Sequence, residues 1–179
     1  MSILEGRRVK LRAMEPGDVE RLYNWENDTA IWSVSNTLAP FSRFQLEQYV
    51  LGGTQDIFTT KQLRLMVDLV SSPGGITTIG SIDLFDYDPF HRRAGTGILI
   101  TEPFRSRGHA FEAMNLLIRY AFGLLDLHQL YCNIAPGNAL SVRLFRKLGF
   151  RRCAIKKEWV REGQDWQDEW MFQLIRHDG

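Results

Sequence analysis

Arg105-Ser106-Arg107-Gly108-His109-Ala110 is the stretch whose reading decides the fold. Arg93 to Thr101 precedes it, a strand pattern ending at Glu102-Pro103. Gly108 to Leu125 follows, with Ala110, Met114, Leu117, Ala121 and Leu124 on one stripe at helical spacing. A helix N-terminus presents unpaired backbone N–H groups, and its dipole favours anions. Gly108 permits close backbone approach, and Arg105, Arg107 and His109 add positive charge at the same point. Together these describe a pyrophosphate cradle. A tight strand-to-helix turn with solvated arginines has the same local pattern.

Outward from that turn, the chain alternates between the two periodicities. Arg8 to Arg12 reads as a first strand, with Val9 and Leu11 against Lys10 and Arg12. Glu15-Pro16-Gly17-Asp18 is a turn, and Asp18 is placed to cap a helix carrying Val19, Leu22, Tyr23 and Trp25. Ser42 is placed to cap a second helix, with Phe44, Leu46, Tyr49 and Val50. Arg64 to Val70 and Thr77 to Phe85 are strands joined through Ser71-Ser72-Pro73-Gly74-Gly75, so antiparallel pairing is expected. Gly52-Gly53-Thr54 is a second surface loop. After the long helix come a strand at Gln129 to Ala135 and a helix at Asn138 to Leu148, which Gly149 stops in a left-handed cap. Phe150 to Val160 and Trp166 to Ile175 close the chain as two strands. The order is β α α β β β α β α β β, an α/β class with a mixed sheet.

Composition bounds the function. The 179 residues suit a single domain, 1–179, and 44% hydrophobic with 24% charged residues is globular. Lys+Arg number 22 against 21 Asp+Glu, without the basic excess of a duplex-binding domain, so no nucleic-acid partner is expected. Arg119 interrupts the apolar run Leu116 to Leu125, and no membrane span is expected. The first twelve residues lack an apolar signal-peptide core. Cys132 and Cys153 form no CxxC, and His91, His109, His128 and His177 have no ligand spacing, so no metal is expected. The expectation is a reduced, cytoplasmic protein.

Arg105-x-x-Gly108-x-Ala110 resembles the R/Q-x-x-G-x-G/A signature of the GNAT N-acetyltransferases. Three further blocks resemble that family in order: Ile79 to Leu84 with His91 to Ala94, Gly108 to Ala113, and Asn138 to Phe145 with Leu148-Gly149-Phe150. Trp166-Gln167-Asp168-Glu169 also fits. The branch it looks closest to holds ribosomal-protein N-terminal, spermidine and some aminoglycoside acetyltransferases. The resemblance implies a mostly antiparallel sheet of about seven strands and about four helices, splayed between the fourth and fifth strands. It implies acetyl-CoA as acyl donor, with its pyrophosphate on the N–H groups of Arg107 to Ala110. It also implies that the pantetheine arm pairs with Leu99, Ile100 and Thr101 and bonds Asn138. A bulge is expected in the fourth strand, at Gly95 and Gly97.

The chemistry implied is direct attack of a neutral primary amine on the thioester, with a backbone N–H of the fourth strand stabilising the oxyanion. The family's usual tyrosine beside the leaving thiolate corresponds to Phe145, which the resemblance places against the cofactor but which cannot donate. Ser141, one turn earlier, is the substitute donor or a structural helix residue. For the base, Asp68 and Asp83 fall on one face if their strands pair antiparallel; a face ion-paired to Arg64 or Arg92 is the alternative. Glu26 and Asp28 are a second acidic pair. Trp25, Trp32, Phe41 and Phe44 suit core packing or the wall of an acceptor cleft, and Lys156-Lys157 an exposed strand edge. The family's polyamine branch has an acid-rich loop that corresponds here to Ser35-Asn36-Thr37-Leu38-Ala39-Pro40, and an acid that corresponds to Gly95. Those departures count against a polyamine, although Asp83, Asp86 and Asp88 partly compensate, and a peptide or protein amine fits at least as well. A polyamine acceptor, an aminoglycoside, a CoA-binding module without catalysis, and a homo-oligomeric state remain open at this point.

Overall fold

The computed structural model describes residues 2–35, 37–51, 56–71 and 75–177. Seven strands form one sheet: β1 (Val9–Arg12), β2 (Leu63–Ser71), β3 (Gly75–Asp88), β4 (Arg93–Ile100), β5 (Gln129–Ile134), β6 (Arg151–Glu162) and β7 (Asp165–Ile175). Their spatial order is β1-β2-β3-β4-β5-β7-β6. All neighbours are antiparallel except β4 and β5, which run parallel. The centre of the turn at Ser72-Pro73-Gly74, the loop at Gly52-Gly53-Thr54, and Asn36 lie outside the described residues.

Six α-helices are described rather than about four: α1 (Val19–Glu26), α2 (Thr29–Ser35), α3 (Arg43–Leu51), α4 (Ile57–Thr60), α5 (His109–Gly123) and α6 (Ala139–Lys147). The two additions are short and carry no readable period. Both begin at an aspartate: Asp28 Oδ1 accepts Ala30 N–H at 3.0 Å, and Asp56 Oδ1 accepts Phe58 N–H at 2.9 Å. The Ser42 cap is a reciprocal box with Gln45, at 3.1 and 2.8 Å. Asp18 does not cap α1, because Arg12 and Arg21 occupy its carboxylate. Gly149 ends α6 at φ 94°, the left-handed cap its position suggested.

Alternation along the strands builds two cores. Leu65, Val67, Ile82, Leu84, Ala94, Leu130 and Cys132 face one side and pack against Ala113, Met114, Leu117 and Ala121 of α5. Met66 faces the other side, with Val19 and Leu22 of α1 and Leu46 and Val50 of α3. Antiparallel β2 and β3 place Arg64 opposite Asp83 on that second face, and Asp68 opposite Thr78. The expected bulge in β4 is absent. The register instead slips in β3, between Phe85 and Asp88, where Asp86 takes φ 49°. Gly95 serves a different end: a side chain there would strike the Phe85 ring.

Candidate active site

The parallel pairing of β4 and β5 stops early. Arg93, Ala94 and Gly95 pair with Gln129, Leu130 and Tyr131, and no rung follows, although β4 runs on to Ile100 and β5 to Ile134. The strands therefore fork at Gly95 and Tyr131. Backbone parity says which groups look into the fork. Thr101 N–H donates to Ile79 O at 2.9 Å, so Leu99 and Gly97 also turn their backbone groups to β3. Thr96, Ile98 and Ile100 turn theirs toward β5, and Arg105 Nε takes the Ile100 carbonyl at 2.7 Å. Of the expected residues, Ile100 borders the fork, while the Leu99 and Thr101 backbones are spent on β3. Ile98, which the sequence reading passed over, is the further fork position. Strand parity alone would have found it, once a single β3–β4 hydrogen bond was known.

The fork opens beside the N-terminus of α5. Gly108 is its N-cap at φ 83°, a left-handed conformation that favours glycine. Arg105, Arg107 and Gly108 are exposed at this turn, and Ala110 is half-buried. Arg8 was missed. Its Nε meets Glu112 Oε2 at 2.9 Å, its backbone N–H meets Glu112 Oε1 at 2.7 Å, and its Nη1 donates to Arg107 O at 3.1 Å. It ties β1 to the loop and to the first turn of α5. No local pattern reveals a pair 104 residues apart. Burial pushes the Glu112 carboxyl up, but the hydrogen bonds and charge of Arg8 outweigh it and hold Glu112 below the usual range.

His109 is the correction at this turn. It is 7% exposed, and its Nδ1 has no hydrogen-bond partner among the described residues. Burial lowers its pKa, Arg8 and Arg107 lower it further, and Glu112 opposes them. It is therefore a neutral, buried ring rather than a cation at the cradle. The unfolded chain binds this proton more readily, so stability should rise with pH as the unfolded histidine loses its proton, near pH ~6.5. Acidifying from pH 7.5 to 5.5 should lower the Tm of the natural protein more than that of His109→Leu. Equal slopes would remove His109 from the acid response.

Asn138 caps α6, its Oδ1 accepting Ser141 N–H at 3.2 Å. Ser141 is half-buried one turn ahead of Phe145. Phe145 is 3% exposed and packs edge-on against Phe150 at 5.0 Å, so its ring is core rather than cofactor surface. A phenyl ring suits that apolar contact, whereas a buried phenol needs a polar partner. Along α6, Pro136, Ala139, Val142, Arg143 and Arg146 line an open pocket of about 350 Å³.

On the face away from α5, Asp83 sits opposite Gly97, two residues beyond the fork. A side chain at Gly97 would meet no atom within 4 Å, so space stands open beside Asp83. Arg64 Nε bonds Asp83 Oδ1 at 2.7 Å, and its Nη1 bonds Glu26 Oε1 at 2.5 Å. Burial lifts the Asp83 carboxyl above its ordinary range, against the opposing charge and hydrogen bonds of Arg64. Asp68 shares the face but not the cluster. It is 1% exposed, with Arg12 Nε on Oδ2 at 2.8 Å and Thr78 Oγ1 on Oδ1 at 2.7 Å. The structure therefore does not bring the two aspartates together on one partner. Asp28 is the α2 cap, Trp32 Nε1 bonds Glu26 O at 2.9 Å, and Phe44 is exposed. Lys156 pairs with Glu169 at 2.8 Å and Lys157 with Asp168 at 2.7 Å. Burial pushes the Cys132 thiol far up, so it stays protonated. Among the described residues, no three His, Cys, Asp or Glu side chains come together as a metal site, and no helix is long and apolar enough to cross a membrane.

The sheet forks between parallel β4 and β5, and the start of α5 stands at the mouth of the fork. Residues 8–151 match the acetyltransferase (GNAT) domain model; the chain belongs to that family and is an N-acetyltransferase. It is similar to spermidine N(1)-acetyltransferase of Vibrio cholerae, 28% identical over 144 residues, covering 80% of this chain and 79% of that one. It is similar to the probable N-acetyltransferase YjcK of Bacillus subtilis, 25% identical across 98% of both chains. The crystal structure of the Vibrio cholerae enzyme in complex with CoA and spermine superposes with a TM-score of 0.83 at 25% identity, covering 94% of this chain and 95% of that one.

Proposed function

We propose that this N-acetyltransferase takes acetyl-CoA as donor through the β4–β5 fork and passes the acetyl group to a primary amine bound over Gly97. The observation that carries the reading is the fork itself: strand edges without rungs, opening onto the Gly108 helix start. Acetyl-CoA supplies an activated acetyl carbon on a thiol leaving group. The backbone amides from Arg107 to Ala110, at the start of α5, hold its pyrophosphate, and Arg105 fixes the end of β4 beside them. Asn138 and the pocket along α6, with Arg143 and Arg146, border the remainder of the donor. The Ile98 N–H is aimed into the fork and stabilises the oxyanion. The Vibrio cholerae relative is solved in complex with CoA, which supports a CoA thioester as the donor.

The amine nitrogen bonds to the acetyl carbon, the carbon–sulfur bond breaks, and the thiolate leaves. The nitrogen loses one proton and the sulfur gains one, so amine and thioester become amide and thiol. Asp83, raised by burial, is the group on the acceptor side suited to take the proton through water. Ser141 is the donor proposed for the thiolate. The test is thiol release from acetyl-CoA against a peptide N-terminal amine, simple alkylamines, spermidine and an aminoglycoside. Thiol release that depends on amine supports the reading; CoA binding without it leaves a binding module.

Ser141→Ala should lower kcat and kcat/KM together by about tenfold while acetyl-CoA affinity holds, the signature of a group used in the transition state. Full turnover under rate-limiting chemistry would make Ser141 a helix residue only. One structure of the Vibrio cholerae enzyme is dodecameric. Self-association of this chain is carried over as a proposal, with a cytoplasmic location, and light scattering tests the former.

A further inference from the structure

Arg64 stands between two carboxylates at the edge of the opening over Gly97. Three elements supply the cluster: Arg64 from β2, Asp83 from β3 and Glu26 from the end of α1. The guanidinium spans both acids, and all three side chains are less than one fifth exposed. Tyr49 of α3 lies across it, ring to guanidinium, at 5.8 Å. Two acids and one permanent cation leave a single net negative charge on this wall. The other acids nearby are already engaged. Asp86 accepts the Tyr131 hydroxyl at 3.0 Å, Asp88 holds His91 N–H and Arg93, and Asp28 caps α2.

We infer that Arg64 is a specificity-determining residue that restricts the acceptor to amines carrying one positive charge. This rests on the acetyl-transfer reading above. A single ammonium is matched by the net charge of the wall. A second ammonium on the same acceptor meets the guanidinium that already occupies the space between Glu26 and Asp83, and like charges brought together discriminate strongly. An ammonium does not displace it, because the planar fork bonds both acids at once. The similarity to spermidine acetyltransferases therefore describes the scaffold and not the acceptor charge.

The experiment measures kcat/KM for n-butylamine and for spermidine with the full chain and saturating acetyl-CoA. The natural protein should favour butylamine by about tenfold or more, and Arg64→Gln should shift the ratio toward spermidine by a similar factor. Arg64→Lys keeps the charge and should keep the preference. Arg64→Gln with Glu26→Gln restores one net negative charge and should return the ratio toward the natural value. A natural protein that takes spermidine tenfold better overturns the inference without any variant, even if Arg64→Gln fails to fold. A folded Arg64→Gln with an unchanged ratio also overturns it, while amine acetylation stands. A protein that acetylates neither of these amines, nor the peptide N-terminal amine and the aminoglycoside, overturns the acetyl-transfer reading as well.

Discussion

Gly108→Val is expected to weaken acetyl-CoA binding by roughly 1–3 kcal/mol, the span of a disruptive single change. Two physical effects act together. At φ 83° a β-branched residue is strained, and the new Cβ would stand 3.1 Å from Arg8 Nη2. Relief of either moves the loop that offers the helix amides or breaks the Arg8 tie to Glu112 and Arg107. Titration of acetyl-CoA into the folded variant, followed by calorimetry, measures the loss. Unchanged affinity in a variant with native far-UV circular dichroism would sink the cradle assignment. Gly108→Ala keeps the positive φ and the same Cβ contact with Arg8, so it should retain part of the loss and leaves to Gly108→Val the added effect of the branched methyls.

The sequence carried the strands and long helices because they obey a local rule. Leu65 and Val67 alternate with Met66 and Asp68, and the structure sends them to opposite faces of the sheet, Met66 into the second core and Asp68 onto Arg12. Gly149 and the Ser42–Gln45 box mark their helix ends within a few residues. The turn from Arg105 to Ala110 was legible for the same reason, being a strand end, a glycine and a helix start in sequence. What was not legible depends on distance or parity. Arg8 and Glu112 meet only because β1 crosses the start of α5. Ile98 faces the fork because of a hydrogen-bond phase that residue type does not encode. The bulge fell in β3 at Asp86 rather than at Gly95 and Gly97, since their lack of side chains serves Phe85 and the open space beside Asp83. Phe145 reads as a cofactor contact and the His109 ring as a cation at the cradle, and packing buries both rings.

Asp68 and Asp83 should respond in opposite ways to the same isosteric change. Asp68 anchors a buried cluster: Arg12 Nε on one oxygen, the Thr78 hydroxyl on the other, and Arg12 itself clamped to Asp18 at 2.7 and 2.9 Å. Removing one partner of a buried pair typically costs ~3–5 kcal/mol, because the remaining charge stays in low dielectric. Arg12 keeps Asp18, so Asp68→Asn is expected near the lower end, about 3 kcal/mol by urea unfolding, with KM and kcat of the folded fraction unchanged. Asp83 borders open space, and Arg64 keeps Glu26 when it is neutralised. Asp83→Asn should therefore cost less stability. It should raise the acceptor KM or lower kcat by about tenfold while leaving acetyl-CoA affinity intact. The deciding contrast is between the two variants: stability lost at Asp68, kinetics lost at Asp83. If Asp83→Asn unfolds readily yet turns over normally, the Arg64 cluster is a structural brace, and the acceptor amine is held elsewhere along the fork. If Asp68→Asn instead shifts the acceptor KM at full stability, the Arg12 cluster opens to the cleft, and the base must be sought there.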